Sequence, residues 1–374
     1  MSRVNHLPRQ SPRFLFGPWS DLMLLGGGSV LALLALRMLH LDSAAIAQLA
    51  LVMLLLANIV NHPHFAHSYQ LFYGTWSELR HNGLPQSLRL RWWFAGFAAP
   101  IALAIFLALG SWQWFHGQGF LLALMINLMG ALVGWHYVKQ GFGMAMMDAA
   151  LKKQFWRADA RKALLVNAYA CWAAAWVIAN GSNFGRAYWG VAGIKYSVPP
   201  LLVVGACAIA AITTAWAGLA CYWSIQVWKQ TGLGWRQWPL AGTVAYVVTL
   251  YIWTVFVTLD AAFVLVVPFF HSLQYMAVVW RYKINEQSSN AVIVDRRQLV
   301  KFAMGGLVLG ALGFWLLPGL LDYWRTGSVP RYGEGVALAI ACMWLFINVH
   351  HYFIDSVLWR QGNPKVSQYL FNAA

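Results

Sequence analysis

Ten apolar runs follow one another along this chain, each close to the length needed to cross a lipid bilayer. A spanning helix takes about 20 mostly apolar residues. The runs cover residues 19–40, 43–61, 92–110, 119–138, 163–180, 201–227, 239–258, 261–280, 301–321 and 335–358. The seventh and eighth nearly merge. One helix through both would be twice the bilayer thickness, so a tight turn is expected at Thr258, Leu259 and Asp260. Only 10% of the residues are charged, against roughly 25% in a soluble domain. So few charges cannot make a water-facing surface, and lipid is the expected solvent. The predicted fold class is all-α: a polytopic integral membrane bundle forming a single domain over 1–374. Residues 1–18 form an N-terminal cytoplasmic segment, 19–359 the bundle, and 360–374 a cytoplasmic tail.

Charge placement sets the orientation. The net charge of +15 does not point to nucleic acid, because the basic residues sit in short loops between apolar runs, where they encode topology. With the N-terminus in the cytoplasm and ten alternating spans, 21 of the 26 Lys and Arg residues fall on the cytoplasmic side and 5 on the outer side. The expected location is a bacterial inner membrane, with both termini inside. Residues 139–162, where Met144, Met147 and Trp156 alternate with Lys and Arg, suggest an amphipathic helix on the membrane surface. Gly26, Gly27 and Gly28 suggest close helix packing. Cys171, Cys207, Cys221 and Cys342 lie inside apolar runs and suggest no disulfide framework.

The histidines carry the chemistry. Seven of the eleven gather toward the cytoplasmic ends of four even-numbered spans. Span 2 ends in Asn61-His62-Pro63-His64-Phe65-Ala66-His67-Ser68-Tyr69, and span 4 in Trp135-His136-Tyr137-Val138-Lys139-Gln140. Span 8 holds His271-Ser272-Leu273-Gln274-Tyr275, and span 10 holds Asn348-Val349-His350-His351-Tyr352-Phe353-Ile354-Asp355. Ionisable groups inside a membrane are costly and face the bundle interior or a cavity. Desolvation favours neutral imidazole, which is the form that binds metal. His64 and His67 are spaced i, i+3, while His351 and Asp355 are spaced i, i+4, so each pair shares a helix face. The candidate metal ligands are His62, His64, His67, His136, His271, His350, His351 and Asp355. Asn61, Tyr69, Gln140, Gln274, Tyr275 and Asn348 are placed to orient them. His62 is the weakest ligand candidate, and His350 and His351 point about 100° apart on a helix, so both can ligate only if they serve different metals or one reaches sideways.

These motifs resemble the histidine-rich membrane oxygenases, namely the fatty acid desaturase and hydroxylase superfamily and the bacterial carotene-cleaving dioxygenases. The resemblance lies in the four histidine segments and the topology. The desaturase boxes of HxxxH and HxxHH form are absent, and ten spans exceed the four to six usual in desaturases. It implies a non-haem iron oxygenase acting on a lipid or isoprenoid, with no residue roles to carry over.

The expected cofactor is iron, one or two ions, with zinc, copper or haem as alternatives. The expected partners are the bilayer, a lipophilic substrate and a cytoplasmic electron donor. Two other readings stand beside this one: a transporter or channel with a histidine-lined path, and a haem-binding electron carrier. The topology is testable by itself. Reporters fused after Leu90, Lys162, Gln230, Arg297 and Ala374 should report cytoplasm, and those after Gly117, Asn183 and Gly327 the outside. An outside signal at Ala374 would contradict an even number of spans.

Overall fold

A computed structural model describes residues 13–76, 84–181, 187–194, 197–230, 232, 234, 237–259, 261–290, 295–329, 335–360 and 362–371. Ten helices carry the fold: α1 (Pro18–Leu39), α2 (Ser43–Gly74), α3 (Gln86–Phe115), α4 (Phe120–Leu151), α5 (Ala158–Gly181), α6 (Pro200–Gln230), α7 (Leu240–Val255), α8 (Ala261–Asn290), α9 (Arg296–Thr326) and α10 (Leu338–Leu358). The only strands among the described residues are a short antiparallel pair, β1 (Ala187–Tyr188) and β2 (Val191–Ala192). The architecture is all-α, as the ten runs predict. Nine of the helices are long and apolar enough to cross a membrane, and α7 is shorter. A 3₁₀ turn at Phe256–Leu259 separates α7 from α8, where the sequence places a break. Asp260 itself lies outside the described residues, as do His6 and His81.

Several helices run well past the bilayer length. The 32 residues of α4 span about 48 Å at 1.5 Å per residue. Residues 139–151 therefore continue α4, and Met144 and Met147 are buried in the core. A separate surface helix over 139–162 is not what forms. The apolar periodicity there comes from packing against α7, and Thr249 of α7 lies against Gly141.

The helices at the centre are α2, α4, α8 and α10. Helix α10 packs against α2, α3 and α4, and α8 packs against α2. Helices α5 and α6 pair with each other and join the rest through α4 and α7, away from the histidines. Large apolar side chains stand exposed on the outer faces, among them Leu51 and Leu55 on α2, Ile101 and Ile105 on α3, and Ile209 and Ile212 on α6.

Two local devices set the heights of the central helices. The buried Asp322 of α9 accepts hydrogen bonds from Ala339 N at 3.1 Å and Ile340 N at 3.0 Å. A carboxylate thus satisfies the open amides at the start of α10, where the helix dipole also favours it. The second device is a set of π-turns: Met23–Gly27 in α1, Phe94–Ala98 in α3, Val248–Val255 in α7 and Leu312–Leu316 in α9. A π-turn frees carbonyls from the helical ladder. All four give a carbonyl to a side chain, that of α7 within its own helix, where Thr254 Oγ1 donates to Thr249 O at 2.6 Å. Leu25 O accepts from Gln274 Nε2, Ala95 O from His350 Nε2, and Phe314 O from Trp344 Nε1.

Glycines allow the closest approaches. A Cβ at Gly242 would lie 2.6 Å from both Met144 O and Asp148 Cβ, and the Gly242 amide donates to Asp148 Oδ2 at 2.8 Å. Gly242→Ala should push α7 off α4 and cost about 1–3 kcal/mol, read as a lowered unfolding midpoint in detergent. Gly143→Ala, where nothing lies within 4 Å, should leave the midpoint unchanged or raise it.

Candidate metal centre

Four side chains from three helices meet at one point inside the bundle. His64 of α2, His136 of α4, and His351 and Asp355 of α10 each offer a donor atom, and these atoms all lie within 4.8 Å of one another. All four residues are buried, His64 and His351 completely. On α4 the site is deeper than the sequence placed it: His136 is followed by 15 helical residues, about 22 Å of helix.

The donors point inward because their other atoms are occupied. Ser272 Oγ donates to Asn61 Oδ1 at 2.5 Å, so its hydroxyl hydrogen is used. The 2.8 Å contact between His64 Nδ1 and Ser272 Oγ must then be donated by the imidazole. This fixes the tautomer and leaves the Nε2 lone pair of His64 free, buried and without a hydrogen-bond partner among the described residues. Asp355 is divided in the same way. Its Oδ1 accepts from Tyr275 OH at 3.0 Å, and Ser68 Oγ lies 3.1 Å from Oδ1 and 2.5 Å from the phenol oxygen. Its Oδ2 faces the imidazoles, 3.0 Å from His351 Nε2 and 3.9 Å from His136 Nε2.

The short His351–Asp355 contact does not have hydrogen-bond geometry, and neither nitrogen of His351 has a hydrogen-bond partner. Two donors bound to one ion at about 2.1 Å and at right angles to each other stand about 3.0 Å apart. The arrangement therefore fits two atoms aimed at a common third. Neutral imidazoles left unsatisfied cost about 1–3 kcal/mol each, and an ion removes that cost. The donor set of three nitrogens and one carboxylate oxygen suits iron, zinc or copper.

His271 stands beside this group. Its ring centroid is 5.0 Å from that of His136 and 5.2 Å from that of His64, and its Nδ1 is buried without a partner. The other predicted ligands lie elsewhere. His350 donates from Nε2 to Ala95 O at 2.9 Å, and its Nδ1 accepts from Tyr69 OH at 2.8 Å, so both nitrogens are engaged. His67 donates from Nδ1 to Gln70 Oε1 at 2.7 Å and stacks on Phe302 of α9 at 4.2 Å. His62 stacks on Phe314 at 4.1 Å, with the edges of Trp315 and Trp344 around it. The i, i+3 pair His64 and His67 thus diverges, because the two residues turn toward different neighbouring helices.

No family model matches the chain, and no curated protein or solved structure matches it.

Of the expected orienting residues, Asn61 and Tyr275 act through the hydrogen bonds already described, and Tyr69 serves His350. Gln140 Nε2 donates to His271 O at 3.2 Å and to Gln274 Oε1 at 2.7 Å. Asn348 Nδ2 donates to Trp344 O within its own helix. Sequence reasoning missed Ser68 and Ser272. Ser68 lies four residues after His64, and Ser272 directly follows His271. A hydroxyl at such a spacing beside a buried imidazole was the available signal.

The geometry separates ligands from neighbours. Asp355→Asn keeps the shape but removes the charge, and should weaken metal binding about 10–100-fold in an equilibrium titration of the purified protein. His350→Ala should leave metal affinity within a few-fold of wild type while lowering thermal stability, since it abolishes the hydrogen bonds to Tyr69 and Ala95. Equal metal loss in both variants would refute this division of roles.

Proposed function

We propose that this chain is a membrane-embedded, non-haem iron oxygenase acting on a lipophilic substrate, a lipid or an isoprenoid, in a bacterial inner membrane. The observation that carries the reading is the convergence of His64, His136, His351 and Asp355, four buried donors aimed at one point and oriented by hydrogen bonds behind them. One ion held by four such donors keeps coordination positions open, as sites that activate dioxygen require. The exposed apolar faces of α2, α3 and α6 meet lipid on this reading, and both termini lie in the cytoplasm. A substrate dissolved in the bilayer would reach the bundle without crossing water.

The surroundings suit this chemistry. Phe65 lies 4.7 Å from the His351 ring, Tyr352 4.7 Å from His136 and Tyr137 4.2 Å from His271. An aromatic wall excludes water and protects reactive species from hydrolysis. Haem fits less well, since four donors within one small sphere leave no plane between them for a porphyrin.

Protein purified in detergent should carry about one iron ion per chain at this centre. His64→Ala, His136→Ala or His351→Ala should each abolish it, while His40→Ala and His116→Ala, outside the site, should not. Nitric oxide added to the anaerobic ferrous protein should give the electron paramagnetic resonance signal of an iron–nitrosyl, which requires an open position. Membranes containing the protein, incubated with isotopically heavy dioxygen, should yield a labelled lipid or isoprenoid. Protein that is fully folded yet binds no metal would end this reading.

A further inference from the structure

Two phenols, Tyr275 and Tyr352, lie against the donors of the metal centre, and Tyr275 is the one hydrogen-bonded to the carboxylate. The Tyr275 ring lies 4.3 Å from the His64 ring, and its hydroxyl donates to Asp355 Oδ1 at 3.0 Å. The same phenol oxygen receives a hydrogen bond from Trp359 Nε1 at 3.0 Å, with the two rings 5.7 Å apart. Trp359 is only partly buried and caps the C-terminal end of α10. From Trp359 the series continues to Tyr282 at 5.8 Å and from Tyr282 to Tyr369 at 5.4 Å, near the end of the chain.

Tyrosine and tryptophan are the side chains most readily oxidised by one electron. Four of them follow one another ring to ring, from beside His64 and Asp355 to one end of the bundle. The opposite direction differs. From His351 the nearest ring outside the donor set is Phe65 at 4.7 Å, followed by Phe314 at 5.3 Å, before Trp344 is reached at 5.1 Å. Two phenylalanines, which resist oxidation, insulate that side.

We propose that Tyr275 and Trp359, continued by Tyr282 and Tyr369, form a one-electron route between the metal centre and the end of the bundle where α10 terminates. The proposal rests on the oxygenase reading of that centre and adds how it receives electrons. Tyr275 gives one electron to the oxidised metal ion, which falls by one oxidation state, and passes its phenolic proton to Asp355 Oδ1. Trp359 then gives one electron to the Tyr275 radical, and the proton returns from Asp355 to the phenol oxygen. The oxidised indole takes one electron, by way of Tyr282 and Tyr369, from a donor of the flavin or iron–sulfur class, which leaves oxidised by one. In the orientation proposed above, that donor is cytoplasmic.

The route predicts a radical at a named residue. Iron-loaded, reduced, full-length protein in detergent is mixed with hydrogen peroxide, frozen at intervals and studied by electron paramagnetic resonance, with ascorbate as the added reductant. Wild type should show a tyrosyl radical whose signal narrows when the protein is made with ring-deuterated tyrosine. Tyr275→Phe should remove it. Trp359→Phe should keep it but prolong its lifetime about tenfold, an added barrier of about 1.4 kcal/mol, and Trp359→Tyr should restore the wild-type decay. Trp344→Phe, on the insulated side, should change nothing. Iron content is measured on every sample. No radical in iron-loaded wild type, the same radical in Tyr275→Phe, or the same decay in Trp359→Phe overturns the route and leaves the metal centre standing. Wild-type protein without iron overturns both.

Discussion

Unsatisfied polar groups in an apolar interior are what the rest of this structure has to manage. Four donor atoms are held together at His64, His136, His351 and Asp355 with no hydrogen bonds among them. Each is costly to bury, and the bundle bears that cost only because other interactions prevent escape to a better partner. Ser272 holds His64 from behind, and Ser68 with Tyr275 holds Asp355 by the oxygen that faces away. Asp322 holds the start of α10 at a fixed height, so that His351 and Asp355 arrive at the level of His136. The preorganisation lies in these supports more than in the donors, which on their own would relax toward one another.

The apolar runs made the ten helices legible, because each run is apolar over most of its length and most of the charge falls in the segments between the runs. The four helices of the site were legible too, since polar residues within such runs need an internal reason. Individual ligands were less so. A helix presents His62, His64 and His67 at different angles, and sequence does not state which neighbour each will meet. His350 and His351 differ only by rotation, yet one is fully hydrogen-bonded and the other is bare. The lengths of the helices also escaped the sequence. The apolar run ends near residue 138, but packing of Met144 and Met147 against the other helices carries α4 on to Leu151.

The neighbourhood of the site is asymmetric in its chemistry. One flank is built from tyrosine and serine within hydrogen-bond reach of the carboxylate, with a tryptophan hydrogen-bonded to the tyrosine. The other is phenylalanine and stacked imidazole, with His62 enclosed by Phe314, Trp315 and Trp344. Polar groups cluster where protons and charge have somewhere to go, and apolar rings close the rest.

The π-turns have a consequence for how this fold tolerates change. Each holds one residue more than an α-turn, so losing one residue there gives a regular helix whose flanks keep their facing, and the freed carbonyl returns to the helical ladder. In α3 that would take the Ala95 carbonyl from His350, and in α9 the Phe314 carbonyl from Trp344. A deletion of one residue in the regular turns on either side would instead rotate everything beyond it by about 100°, like a twist applied to the whole bundle. The length of these helices, counted residue by residue, is therefore as constrained as the identity of the histidines they surround.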